Sequence, residues 1–448
     1  MTSVASRVIA RSLRGNRFYG TQAAVKQAES LVASRKLPNG LTVVSVNENS
    51  PVKKVAVAVN AGARYEKIDE LGVTHALRRG ANLGTSSFST IEITKNIQVI
   101  GGNFSCTSTR ELMLYCFTGV NSVMLDKVIS LMGSITTEPL FNFWELAELK
   151  KQMTTDLAFL ENNPNAKLVE LLHNAAYRGT LGRSLYASEH RLEKLSQEQL
   201  LGYVGNNYVR DRMALIGVGV ELEQLESLGS TWEIGSPSSS DNEKVVYCGG
   251  ERLHDTGGDM AYVAVANEGV GSTSKEFLTS IVLQMIMGTE PSIKYAGCTS
   301  RLGQAVSQGT NKPFSVSCLN MNYSDSGLFG FHIQGYAGDI DKMVKKASEQ
   351  FASLTKGGLT DQEVARAKNK TKAAIAMKAE SSESIVSDLA EQVFTHGQFF
   401  DLADINRAVD AIQTADVVNL AKKIVNGTSS LAATGNCQNV PHLPELFK

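Results

Sequence analysis

His75, Arg78 and Arg79 fall at i, i+3 and i+4, so a helix through them would present all three on one face. Two imidazoles four residues apart, with a carboxylate beside the second, hold a zinc ion and activate its water. Here only the first imidazole is present. Arg78 stands where the water-activating carboxylate would be and Arg79 where the second ligand would be. A guanidinium stays protonated and has no acceptor lone pair, so it can neither bind zinc nor take a proton. The other six histidines, His173, His190, His254, His332, His396 and His442, supply no replacement pair, since no two lie three to five residues apart. A histidine satisfied by hydrogen bonds is therefore the expected state of His75, and solvated or partner-facing charges that of Arg78 and Arg79.

The segment Gly72-Val73-Thr74-His75-Ala76-Leu77-Arg78-Arg79-Gly80, closing on Gly84-Thr85, resembles the M16 family of metallopeptidases, whose inverted H-x-x-E-H motif is followed by Gly-Thr. Leu37-Pro38-Asn39-Gly40-Leu41 resembles the family's first strand and Gly62-Ala63-Arg64-Tyr65-Glu66 its second. Gly101-Gly102-Asn103 resembles the turn before a strand near the active site, and Ser300-Arg301-Leu302 a signature of the second half. The family spacing from second to third metal ligand, counted from Arg79, reaches Asp156, with Glu148 as the other possible counterpart. His75 and Asp156 would make two ligands where zinc needs three from the protein. The resemblance thus implies a degenerate site at His75, Arg78, Arg79 and Asp156, with no catalytic residue, no metal and no cofactor.

The 448 residues suffice for several full cores, and 42% hydrophobic with 20% charged residues is ordinary globular composition. With 44 basic against 45 acidic residues, the net charge of −1 calls for no nucleic acid. Six cysteines are scattered without a C-x-x-C pair, which points to free buried thiols in a reducing compartment. The amino terminus departs from this neutrality: Arg7, Arg11, Arg14, Arg17 and Lys26 precede the first acidic residue, Glu29. Arg7, Arg11 and Arg14 face Ala5, Ile9 and Leu13 across a helix, the pattern of a mitochondrial presequence cut near Phe18 to Gly20. No run reaches membrane-spanning length, and Phe277 to Gly288 reads as a buried core helix.

The chain repeats itself. Leu195 to Gly219 and Ile412 to Gly435 are two versions of one helix-turn-strand unit, with Leu200-Leu201 matching Val417-Val418 at an offset of 417 − 200 = 217. The helical run from Leu140 to Ala158 corresponds to Leu359 to Met377 at 359 − 140 = 219. Apolar strand signals such as Val55 to Val59 and Met213 to Val218 lie between long helical patterns, which gives α+β halves of sheets covered by helices. Two such halves would form a clamp around a concave interior. The expected division is a presequence over 1–20, a first half over 36–234, a Ser-rich linker over 235–244 and a second half over 245–448. Gly217-Val218-Gly219 marks a tight turn rather than a dinucleotide loop, because Leu222 replaces the third glycine. The lysines of Lys368 to Lys378 read as a solvated helix face backed by Ala374 and Ile375.

Within the M16 family, Gly102 to Tyr115 and Leu168 to Gly219 resemble the non-catalytic core proteins of the mitochondrial cytochrome bc1 complex, respiratory complex III. That likeness implies a structural subunit for assembly and stability, peripheral on the matrix side of the inner membrane. It would be paired with core protein 1, in a complex with cytochrome b and cytochrome c1, and would reach the membrane only through partners. It would carry no redox site itself. Two rivals stand beside it: a presequence-binding, non-catalytic alpha subunit of the mitochondrial processing peptidase, and an active zinc endopeptidase. The first is disfavoured by Gly288 to Leu302, where Gly288 and Gly297 stand apart instead of forming a glycine-rich loop; the second is disfavoured by Arg78 and Arg79. If the two arginines face the interior, they would repel Arg-rich ligands.

Overall fold

Val55 to Val59 is apolar without alternation, the pattern of a strand covered on both faces, and it lies in β3 (Lys53–Val59), buried from Lys54 onward. The computed structural model describes residues 32–47, 52–119, 124–236, 243–288, 300–356 and 358–446. The basic leader, residues 237–242 of the expected linker and residues 289–299 lie outside the described residues.

The first half holds a six-stranded sheet of β1 (Val32–Lys36), β2 (Thr42–Val46), β3, β4 (Asn103–Ser108), β5 (Met113–Gly119) and β6 (Met213–Val218), ordered β1-β2-β6-β3-β5-β4. Its helices are α1 (Val73–Arg79), α2 (Thr90–Ile100), α3 (Leu125–Thr137), α4 (Phe143–Glu161), α5 (Pro164–Ala176), α6 (Gln197–Asn207) and α7 (Leu222–Gly229), apart from single turns. The second half holds β7 (Gly250–Asp255), β8 (Met260–Glu268), β9 (Ser315–Asn322), β10 (Gly327–Tyr336) and β11 (Ser429–Gly435), ordered β7-β11-β8-β10-β9. Here the helices are α8 (Phe277–Met287), α9 (Arg301–Ser307), α10 (Ile340–Ser353), α11 (Asp361–Lys378), α12 (Ser382–Thr395), α13 (Leu402–Ala411) and α14 (Thr414–Val425). The second order repeats β2-β6-β3-β5-β4 strand for strand, including the one parallel pair, β2 with β6 and β7 with β11. The helix starts repeat as well, at 361 − 143 = 218 for α4 and α11 and 414 − 197 = 217 for α6 and α14.

A sheet buried on both faces needs two covering layers. One face of the first sheet packs on α3, α7 and other helices of its own half through Val55, Val57, Val128 and Leu225. Its other face, Val44, Ala56, Ala58 and Ile216, is covered by Val386, Leu389 and Ala390 of α12, from the second half. The exchange is reciprocal. Leu168, Leu172 and Ala176 of α5, from the first half, cover Ala264, Ala266, Leu328 and Ala432 of the second sheet. The lent helices occupy the same place in the repeat, 382 − 164 = 218. Polar contacts follow the same seam: Arg64 donates to Glu111 at 2.6 Å and to Asp325 at 2.6 Å, and Tyr177 donates to the Gly327 carbonyl at 2.8 Å.

Several sequence expectations shift. Leu37 to Leu41 is not a strand but the turn between β1 and β2: Pro38 has no N–H to give a ladder, and Gly40 takes a left-handed φ of +85°. Gly62 to Glu66 is a 3-10 turn after β3, because its backbone crosses that of Arg110 so closely that a Cβ on Gly62 would lie 2.5 Å from it. The lysine-rich helix α11 buries Val364, Ala367 and Thr371, whereas Ala374 and Ile375 are only half-buried, because the packed stripe runs out before the helix does. Cys116 and Cys318 are buried free thiols as expected, but Cys106, Cys248 and Cys437 are half-buried; Cys298 lies outside the described residues. The helix expected at Phe277 to Gly288 is α8, with Val282, Leu283, Ile286 and Met287 buried. Among the described residues no helix is long and apolar enough to cross a membrane.

Leu172→Ala should cost about 2–5 kcal/mol, the usual range for a fully buried leucine. Its distinctive consequence is where protection is lost. Amide hydrogen exchange should accelerate in β8 and β10 of the other half; acceleration confined to β3 and β6 would contradict the exchange of helices.

Candidate functional site

Helix α1 is short, and its position is set from outside. Gly72 precedes it at φ +93°, and a Cβ there would meet the Cβ of Ala187 at 2.4 Å, so only glycine fits both the turn and the contact. Glu66 is 1% exposed and accepts from the N–H of Gly72 (2.9 Å), the N–H of Thr74 (2.8 Å) and the Thr74 hydroxyl (2.6 Å). These bonds satisfy amides at the start of α1 that have no intrahelical partner, and place a carboxyl at the positive end of the helix. Burial outweighs them for the proton: the Glu66 carboxyl is pushed up to about 7.

This anchoring turns His75 into the protein, where its side chain is fully buried. The Nδ1 atom lies 3.3 Å from the backbone N–H of Ala187, which can only donate, so Nδ1 accepts. The proton therefore sits on Nε2, which donates to Asp156 Oδ2 at 3.1 Å. Asp156 arrives from α4, whose Leu146, Leu149, Met153 and Leu160 are buried. The same Oδ2 accepts from Arg79 Nε at 3.1 Å. Burial first, and then the charge of Arg78, hold the His75 imidazole down to about 4 against the pull of Asp156.

The structure thus brings together all four residues expected at the site, and of the two arginines only Arg79 is exposed. Arg78 is not a solvated charge. Its guanidinium lies 5.0 Å from the centre of the Tyr186 ring and donates to Ser108 Oγ at 3.2 Å. Arg79, with 42% of its side chain exposed, is tied to Asp156. Both line a cavity of about 700 Å³ built by the first half alone. Glu148, the alternative third-ligand position, is exposed and pairs with Lys151 at 3.2 Å, away from the site. Sequence reasoning missed Glu66, Tyr186, Ser108 and the Ala187 amide. Tyr186 and Ser108 lie inside the two passages singled out for their resemblance, but nothing in residue type or spacing assigned them a role.

This donor set does not fit zinc. One ring nitrogen of His75 is occupied by a backbone amide and the other by a proton, and Asp156 already serves an imidazole and a guanidinium. Among the described residues no three His, Cys, Asp or Glu side chains converge to hold a metal ion.

Two outcomes follow. In NMR titration, His75 should remain neutral down to a midpoint of about 4, and Arg78→Met should raise that midpoint by removing a repelling cation. Its folded pKa lies below its unfolded value of 6.5, so the stability this histidine supplies is present above pH 6.5. It should be lost as pH falls towards 4, seen as a drop in Tm over that window that His75→Gln reduces.

The model of the family described as Insulinase (Peptidase family M16) matches residues 42–189, and that of the Peptidase M16 inactive domain matches residues 194–371. The chain is 36% identical to the mitochondrial cytochrome b-c1 complex subunit 2 of Homo sapiens, over 92% of this chain and 91% of the human protein. It is 29% identical to a probable alpha-1 subunit of the mitochondrial processing peptidase from Arabidopsis thaliana, over 90% of this chain and 82% of that protein. A chain of a solved structure, Complex III2 from Candida albicans with Inz-5 bound, superposes with a TM-score of 0.81 at 19% identity. The match covers 93% of this chain and 98% of that one, and at such identity it speaks for the fold. Together with the paired α+β halves and the remains of an inverted zinc motif on α1, these likenesses show that the chain belongs to peptidase family M16, among the cytochrome b-c1 complex subunit 2 proteins.

Proposed function

We propose that this chain is a non-catalytic core subunit of mitochondrial respiratory complex III, held on the matrix side of the inner membrane beside core protein 1 and in one assembly with cytochromes b and c1. Its part is assembly and stability of the complex; it carries no peptidase or redox site of its own. The observation that carries the reading is the state of His75: its Nδ1 accepts from the Ala187 amide, and its Nε2–H donates to the Asp156 oxygen that also accepts from Arg79, so neither imidazole nitrogen is left for a metal. The likeness to cytochrome b-c1 complex subunit 2 over nearly the whole chain supports it. The basic leader fits the location, as an import signal removed near Phe18 to Gly20. Two halves, proposed over 36–234 and 245–448, are supported by one sheet in each, although β1 (Val32–Lys36) extends the first sheet upstream of residue 36.

A second reading, presequence recognition as an alpha subunit of the processing peptidase, has one observation in its favour, the 29% identity to such a subunit. Most of the segment that would discriminate the two, Gly288 to Leu302, falls outside the described residues.

Affinity purification from detergent-solubilised mitochondria decides between them. Recovery with cytochrome b and cytochrome c1 is the expected result, whereas recovery with a soluble zinc-bearing peptidase alone would favour the second reading. Metal analysis of the purified chain should find no stoichiometric zinc, and chelator-sensitive cleavage of peptides by this chain alone would overturn both non-catalytic readings.

A further inference from the structure

The basic residues of α11 do not form one solvated face. Lys368 donates to the Asp410 carbonyl of α13 at 3.1 Å, and Lys372 pairs with the Asp410 carboxylate. On the other side of the helix, Glu363, Arg366 and Lys370 stand at i, i+3 and i+7. They line a cavity of about 390 Å³ together with Arg301 and Gln304 of α9, against an apolar wall of Met285, Ile286 and Ala367. Glu363 and Arg366 are spaced to pair along the helix, but the carboxylate is engaged elsewhere. It accepts from Arg301 Nε at 3.1 Å and Nη2 at 2.8 Å, and from the N–H and hydroxyl of Thr360, both at 3.0 Å, in the cap of α11. Chiefly the Arg301 hydrogen bonds hold the Glu363 carboxyl down to about 2, so it stays charged and bound. Among the described residues no carboxylate lies within ion-pairing distance of Arg366, whose planar fork cannot shed its charge. Three cations against one engaged carboxylate leave the described walls basic and rich in donors.

We propose that this cavity of the second half binds a phosphate monoester, with the Arg366 fork and the Lys370 ammonium on its oxygens and Met285, Ile286 and Ala367 against the group it is attached to. The inference is independent of membership in complex III, since it needs only the local geometry. A phosphate monoester brings close to two negative charges and three acceptor oxygens, which a planar fork and a point charge can share; a carboxylate would satisfy the fork alone. Arg301 is a positioning residue: locked on Glu363, it ties α9 to α11 and keeps that carboxylate from capturing Arg366. The cavity lies within the size range of small-molecule sites. Two sources offer this chemistry, a soluble phosphate monoester and the headgroup of a phosphatidate lipid.

The test titrates the purified full chain with glycerol phosphate and with dihexanoyl phosphatidate, which adds only acyl chains, by calorimetry at constant ionic strength. Saturable binding with a Kd of about 1 mM or tighter is expected. A phosphatidate that binds about tenfold or more tightly than glycerol phosphate identifies the lipid headgroup, and any other order the soluble monoester; either upholds the site. Arg366→Gln should weaken binding by about tenfold or more, and Arg366→Lys, which keeps the charge and loses the fork, by less. Lys368→Gln removes the same charge from the α13 side of α11 and should change nothing. A loss in Lys368→Gln equal to that in Arg366→Gln would reveal general attraction to a basic helix and overturn the proposal. So would absence of saturation by either ligand at about 10 mM, or affinity that survives Arg366→Gln in a protein whose Tm is unchanged.

Discussion

Each sheet has two apolar faces, and each half supplies enough helices for only one of them. The missing cover comes from the other half, α12 onto the first sheet and α5 onto the second. This reciprocal loan makes the halves interdependent, because neither can leave without exposing a row of fully buried side chains such as Val44, Ala56 and Ile216 or Ala264 and Leu328 to water. It also explains why buried charge is tolerated along the seam. Arg64 is 7% exposed yet bonded to a carboxylate from each half, so its burial is compensated only when the halves are together. His173, fully buried on α5, is instead uncharged: burial and then the charge of Arg110 hold it far below its ordinary value, while it donates to the Val169 carbonyl and accepts from Tyr323 of the second half.

The site inherits its rigidity from this frame. Helix α4 carries Asp156 and leads directly into α5, the helix lent to the other sheet. On the opposite side, α1 is pinned by Glu66 and by the contact of Gly72 with Ala187. Two well-anchored helices therefore meet at His75 and Asp156, and that meeting does not require a metal. What zinc would hold together by coordination, a neutral imidazole and a guanidinium hold together by hydrogen bonds to one carboxylate oxygen.

Much of this was legible in the sequence, for identifiable reasons. The duplication showed through because helix and strand periods recur at nearly constant offset, and the observed strand orders repeat accordingly. Asp156 was legible because the family's ligand spacing survives the loss of the ligands. The helix exchange was not, since Leu168, Leu172, Val386 and Leu389 show only that α5 and α12 each have an apolar face; periodicity does not say whose sheet that face meets. The strands assigned to 37–41 and 62–66 failed because turn chemistry at Pro38, Gly40 and Gly62 outweighs resemblance. Arg79 is exposed as its charge predicts, but the Tyr186 ring and the Asp156 carboxylate, brought near only by folding, give Arg78 and Arg79 partners that residue type alone does not indicate.

Those partners bear on what constrains the chain once hydrolysis is gone. Asp156 is not idle without zinc, because removing its carboxylate would leave Arg79 unpaired and His75 Nε2–H without an acceptor in a fully buried position. The position is thus held by stability where a peptidase would hold it by catalysis. Arg78 is the exception in this arrangement. Its bond to Ser108 and its contact with Tyr186 fix its geometry without neutralising its charge, so stability alone would be served as well by an uncharged side chain of similar reach.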